Sequence, residues 1–498
     1  MSASAYTQFA KMAKETAHVQ SILSLLGWDQ EVMMPTEGGH GRSVQSTFMA
    51  HLIHGRLTGA PYRRRLARCI DLSTGALLGD YDHIESANLR EAYRQWSVDA
   101  RTPATWVKRL AKIHSESPPV WAKAREQRSF ALFKPWLEKV VALNQERAQF
   151  LGFKEHPYDA LLDHFEPGLT LDQLQPIYRE LQDALVPLRN EALAKPPLSA
   201  PEGLSCSPEQ QLAICRKLLV SLGLTTARAR IDTSSHPFCM GLAPHDIRLT
   251  TRVHSPEPWS AISATMHEAG HGLYDGGLPA EGFGLAQGTY CSLGVHESQS
   301  RLWECRIGGS YPFLEWMAQQ LHEQGLGKID LPHLVRWLNR VHHTSIRIEA
   351  DEVSYSLHII LRTRLEADLV SGKLAVADVP EAWNALSREL LGIESEHDGV
   401  GCLQDIHWAL GEMGYFPSYA LGNIYGAQLF AAYTRSHPGF ESDIRKGHFA
   451  PLQAWLQKHV WQLGRTVTPT ELIRQATGEN PSPRAFIEAV RARMATLA

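Results

Sequence analysis

The stretch His267-Glu268-Ala269-Gly270-His271 constrains this chain more than any other, because it has chemical meaning only if its backbone is helical. On a helix, residues four apart stand nearly above one another, so both imidazoles can converge on one metal ion with Glu268 beside it. Two neutral nitrogen ligands leave room for a third ligand and a water whose pKa the ion lowers, and the carboxylate takes that water's proton. With 24 His and 53 acidic residues in 498, chance alone would produce such a pentapeptide in on the order of one chain in ten. The surrounding sequence therefore has to supply the rest of the site.

Most of that sequence has helical periodicity. Apolar residues recur at helical intervals from Tyr6 to Leu26, with an end predicted at Gly27-Trp28-Asp29-Gln30. A loop is expected at Met33-Met34-Pro35 and Gly38-Gly39, then helices over 42–56, 80–125, 136–151 and 170–194. Breaks are expected at Ser117-Pro118-Pro119 and Glu166-Pro167-Gly168. Lys195 to Pro208 is the best candidate for an exposed connector. The β-branched and turn residues between Ile231 and His254 suit one or two short strands, and Ser255-Pro256 is a plausible start for the helix carrying His267. Helical patterns dominate again from Gly294 onward. The expected fold is mostly α, with a small β-sheet beside the active-site helix. Strands do not alternate with helices along the chain, which disfavours Rossmann and barrel folds.

Composition narrows the function classes. The balance of 49 basic and 53 acidic residues, a net charge of −4, lacks the basic excess of a nucleic-acid footprint. No run approaches 18 apolar residues, so no membrane span is expected. Seven scattered cysteines without a CxxC pair, and an opening without a secretory signal, lead to the expectation of a reducing, cytoplasmic setting.

A third metal ligand is available at Glu297, 26 positions after His271 and far enough on for a second helix to return against the first. His296 is the alternative, but two adjacent helical residues cannot both face the ion, and a later Glu is a recurring solution in zinc peptidases. An ordinary structural role for Glu297 would be a pair with Arg301 at helical spacing.

Six ordered motifs resemble those of the carboxypeptidase Taq family of zinc metallocarboxypeptidases. They are His236-Pro237-Phe238, Asp246-Ile247-Arg248-Leu249-Thr250, His267 to His271, His296-Glu297-Ser298-Gln299, Ile346-Arg347-Ile348-Glu349-Ala350-Asp351, and Gly401 to Trp408. Trp28-Asp29-Gln30-Glu31 and Tyr158 to Asp163 also look familiar. The resemblance implies one helical catalytic unit over 1–498 with a deep substrate groove, 1–200 forming a groove wall and 201–498 carrying the zinc site. It further implies a homodimer that removes single C-terminal amino acids from peptides, with zinc as cofactor and cobalt or manganese as substitutes.

The remaining motif residues fit such a reaction. Arg347 is the preferred partner for the substrate's terminal carboxylate, because a guanidinium fork donates two charge-assisted hydrogen bonds. Arg248 would limit or position the substrate end, with Asp246 and His236 nearby. The structural alternatives are ion pairs, Arg347 with Asp351 and Arg248 with Asp246. His407, and Tyr419 or Tyr425, are candidate donors to a developing oxyanion. Asp275, Asp351 and Asp405 are candidates to hold the ligand imidazoles. Two other readings stay open: an oligopeptidase that cuts inside short peptides, and an inactive helical binding protein.

Overall fold

The computed structural model describes residues 4–201, 205–253 and 255–496. Helices dominate, with one three-stranded sheet among the described residues. Three strands form where one or two were expected: β1 (Ala229–Thr233), β2 (Cys239–Ala243) and β3 (Asp246–Thr251). Their order is β1-β3-β2, with β1 parallel and β2 antiparallel to β3. Side chains alternate across the sheet. Ile247 and Leu249 of β3 pack on the helix that carries His267 and His271, where they lie against Gly272. Arg248 takes the opposite face and is paired in register with Arg230.

That opposite face explains why the first helix outruns its periodicity. It spans Ala5–Val32 and passes straight through Gly27. Trp28, 5% exposed, lies between the guanidiniums of Arg230 and Arg248, 4.9 and 4.8 Å from its ring centre. Two cation–π contacts on a buried ring fasten this helix end to the sheet.

Other boundaries moved for equally local reasons. Pro118 and Pro119 do not break the chain but lie inside Ala104–Glu126, where Ile113, Ser117 and Ala124 are buried and Trp121 donates to the Leu403 carbonyl. Tertiary contacts offset the backbone donors that the prolines lack. The catalytic-motif helix begins at Trp259 rather than near Ser255, with Pro258 at the capping position, and runs to Gly277. Ser255 instead accepts from the Glu257 backbone. His254 lies outside the described residues, as do 202–204 of the expected connector; the described remainder of Lys195–Ser207 has neither helix nor strand.

One hydrophobic core includes Trp106, Leu161, Leu218, Ile247, Leu273, Leu361 and Val490, so it draws on residues on both sides of position 200. A smaller cluster near the N-terminus contains Phe9, Tyr62, Leu66, Ile70 and Leu89, joined by Leu285.

Candidate active site

The site is assembled where two helices cross without side chains between them. A methyl group on Gly270 would stand 2.5 Å from the Gln299 carbonyl oxygen and 2.6 Å from Ser300 Cα. Only glycine permits that approach, and it brings Leu293–Arg301, the helix of Glu297, against the His267 helix. Gly422 makes the same concession on the other side of Glu297, whose side chain occupies the space a Cβ would need.

Glu297 Oε2 consequently lies 3.9 Å from His267 Nε2 and 3.6 Å from His271 Nε2. Ligands bonded at ~2 Å to one tetrahedral ion are roughly 3.3 Å apart, so a small contraction around a cation completes the geometry. Among the described residues, these three form the group of His, Cys, Asp and Glu side chains able to hold a metal, their ligand atoms all within 4.8 Å of one another. The electrostatics agree with that fit. Burial opposes a charged His267, but Glu297 and Glu304 outweigh it and raise its pKa to about 9, the mark of a pocket that favours a cation. Burial, then the neighbouring His296 and His267, holds His271 well below the usual imidazole range, leaving it neutral.

Glu304 was not legible in the sequence. Its Oε2 is 2.9 Å from His267 Nδ1, which directs Nε2 of that ring toward Glu297. Ser263 donates to its other oxygen at 3.1 Å and Arg301 to Oε2 at 2.8 Å. Although burial raises it, Arg301 and His267 pull the Glu304 carboxyl down to about 2. The only sequence signal is a carboxylate seven residues after Glu297. The Glu297 helix passes into a π-helical segment, Leu302–Gly308, which carries Glu304. Arg301 pairs with Glu304 and Asn423, not with Glu297.

Glu268 is 7% exposed. Burial pushes its carboxyl up to about 7, with Glu297 and Glu304 adding to the shift against His267. A base in that range holds and returns a proton near neutrality.

The expected supports of the imidazoles distribute differently. Asp275 shares a hydrogen bond with His296 Nε2 (3.0 Å), not with His271; the His296 ring in turn stacks on His271 at 4.3 Å. Asp351 caps Glu352–Ser371 by accepting from the Val353 and Ser354 backbone. Asp405 accepts from Arg347 Nε and Nη2 (3.0 and 2.9 Å) through one oxygen and from Arg362 Nε (2.7 Å) through the other. Burial alone would raise Asp405, but Arg362 and Arg347 hold it well below the usual carboxylate range.

Arg347 therefore pairs with Asp405 rather than Asp351. Its Nη1 donates to the Tyr355 hydroxyl at 3.1 Å, and its guanidinium stands 4.7 Å from the Tyr419 ring centre. Tyr355 also faces Arg301 at 4.9 Å, which joins this cluster to the histidine pocket. His407 Nε2 and the Tyr419 hydroxyl are 3.3 Å apart. Burial lowers His407 to about 4, so the ring is neutral near pH 7. Tyr425 is buried, 2% exposed, in the main core.

Three expected substrate groups are not drawn into these contacts. Arg248 is bound to Asp246 at 2.5 Å and stacks on Trp28, on the sheet face away from the His267 helix. His236 is exposed, and its carbonyl accepts from Ser234 Oγ.

Known proteins resemble this chain along nearly its full length. The family model for carboxypeptidase Taq (M32) metallopeptidases matches residues 8–494. Thermostable carboxypeptidase 1 of Thermus thermophilus is 35% identical across 99% of each chain, and carboxypeptidase 1 of Bacillus subtilis 32% identical across 97% of this chain and 96% of its own. Among solved structures, the M32 carboxypeptidase of Deinococcus radiodurans superposes with a TM-score of 0.93 at 33% identity, covering 99% of both chains. A Pyrococcus furiosus carboxypeptidase gives 0.94 at 32%, again covering 99% of both. This chain belongs to the carboxypeptidase Taq (M32) family of metallopeptidases.

Proposed function

We propose that the protein removes single amino acids from the free C-terminus of peptides, using zinc held by His267, His271 and Glu297, with Glu268 as general base. The observation that carries this reading is the convergence of two imidazoles and a carboxylate within 4.8 Å, next to a buried carboxyl poised near 7. Bound there, zinc supplies Lewis acidity toward the scissile carbonyl and the attacking water. Cobalt or manganese suits the same donor set.

The chain's own groups do the rest. Glu268 accepts the proton of the attacking water and passes it to the leaving amine. Glu304 keeps the His267 ring in the tautomer that points Nε2 into the pocket. His407, neutral in this environment, and Tyr419 are donors for the oxyanion. Arg347 uses three of its five N–H groups on Asp405 and Tyr355, and the two that remain are our choice for the substrate carboxylate. Arg248, with Asp246 and His236, acts further out, limiting or positioning the substrate end.

We assign residues 1–498 to one catalytic unit, with 1–200 as a groove wall and 201–498 carrying the metal site. The core shared across position 200 supports this. A homodimer and a cytoplasmic location complete the proposal. Among the described residues no helix is long and apolar enough to cross a membrane.

An N-acetylated peptide offered as the free acid and as the C-terminal amide tests the reading, with products identified by mass. Metal-loaded protein should shorten the acid one residue at a time, leave the amide intact, and do neither after chelation. Equal cleavage of both peptides would overturn the carboxypeptidase assignment in favour of an oligopeptidase.

A further inference from the structure

The break expected at Glu166-Pro167-Gly168 is where the helix Pro157–Phe165 ends, but that end is not at the surface. Glu166 is 0% exposed. Burying a carboxyl completely is costly unless hydrogen bonds offset it, and the chemistry at the metal pocket does not use this one. Its Oε1 accepts two hydrogen bonds, one from the Gly294 N–H and one from Ser418 Oγ at 2.7 Å. The two donors begin two different helices.

Gly294 lies in the first turn of Leu293–Arg301, three residues before Glu297. Ser418 lies in the first turn of Pro417–Ser436, next to Tyr419. A methyl group on Gly294 would stand 2.9 and 3.0 Å from the two carboxyl oxygens of Glu166, so this glycine makes room for the acid. Beside it, the Phe165 ring meets that of Tyr415 at 5.2 Å, and Tyr415 meets Tyr419 at the same distance. One helix end therefore braces the starts of two others.

We propose that Glu166 is a positioning residue: one carboxyl oxygen ties together the first turns of the helices that carry Glu297 and Tyr419, and so fixes the metal ligand relative to the oxyanion donor. The inference rests on our reading of Glu297 as ligand and Tyr419 as donor. Glu166 acts through the two helix ends, not on the reacting atoms. The bonds matter here more than the charge. Burial pushes the carboxyl up to about 7 against Ser418, Ser292 and the Gly294 N–H, so neutralising it near pH 7 costs little. An amide oxygen in the same place accepts the same two bonds.

Three variants of the full chain test the role, well below their unfolding temperatures. Zinc affinity is read by chelator competition, and kcat and KM on a free-acid peptide at saturating zinc. Glu166→Gln should stay close to the wild type in both. Glu166→Ala should lose on the order of 10-fold in zinc affinity and 10- to 100-fold in kcat, with KM little changed. Ser418→Ala releases only the second helix, so kcat should fall on the order of 10-fold while zinc affinity holds; it decides the matter if Glu166→Ala does not fold. A merely structural Glu166 would lower the melting temperature alone, and a folded Glu166→Ala with wild-type zinc affinity and kcat overturns the proposal. So does Glu166→Gln as impaired as Glu166→Ala, or Ser418→Ala with wild-type kcat. A wild type that binds no zinc would overturn the reading of Glu297 itself, and this inference with it.

Discussion

The histidine pocket and the arginine cluster are joined through Tyr355, yet they settle their charges in opposite ways. At Arg347, Asp405 and Arg362 the carboxylate spends one oxygen on each guanidinium, which fixes both side chains and leaves one positive charge over. At His267, His271 and Glu297 the atoms that would make bonds point at one another across 3.6–3.9 Å, while the outer nitrogen of His267 is already fixed by Glu304. One cluster carries an excess positive charge on fixed side chains, and the other is arranged for a cation from outside. The difference separates the residues that would hold the metal from those that would hold an anionic group of the substrate.

The largest effect should come from Glu268→Gln, which removes the proposed base without touching the convergent donors. Peptide hydrolysis should fall on the order of 10²- to 10⁴-fold, while metal content measured by atomic emission stays at the wild-type level. A variant that lost the metal instead would blur the distinction between base and cradle. Next, Asp405→Asn breaks the arginine cluster and leaves two buried guanidiniums facing a neutral group. Denaturant unfolding should show a loss of roughly 3–5 kcal/mol, with zinc affinity little changed. If zinc affinity fell as steeply as stability, the two clusters would not be separable.

Glu304→Gln attacks the open pocket from behind. Removing the acceptor of the His267 proton should weaken zinc binding by roughly 10- to 100-fold, read by competition with a chromophoric chelator, and should also lower stability, because Arg301 loses its carboxylate. The smallest effect concerns pH. Glu366 is fully buried, accepts from Tyr158, Trp408 and the Gly414 backbone, and burial pushes its carboxyl up to about 7 against those donors. Its folded pKa is raised, so its contribution is fully present below pH 4.5 and is lost as pH climbs through 7. Glu366→Gln should remove that slope, at most ~1.4 kcal/mol per pH unit. Thermal unfolding of both proteins between pH 4.5 and 8 would show the wild type losing stability relative to the variant as pH rises. A difference that stayed constant would contradict the raised pKa.

The legible features of this chain are those fixed by local rules. The spacing of His267 and His271 fixed their common helical face, and the helical periods gave most helices. Glu297 was found because a third ligand was required, and Gly270, inside the motif, is what lets its helix approach. What stayed hidden depends on contacts distant in sequence. Trp28 extends the first helix by stacking on two arginines more than 200 residues away. Asp405, one of three aspartates offered as a support for histidine, supports arginine instead. Glu304 meets His267 across two helices, a pairing that no period along one helix names.

The claim that the pocket is open to a cation and the arginine cluster is not comes down to one titration. Metal-stripped wild type and Glu297→Ala are titrated with zinc in the presence of a competing chelating dye. The account predicts one tightly bound zinc ion per chain in the wild type and a loss of affinity of at least roughly 100-fold in the variant. Equal affinity in the two proteins would contradict it.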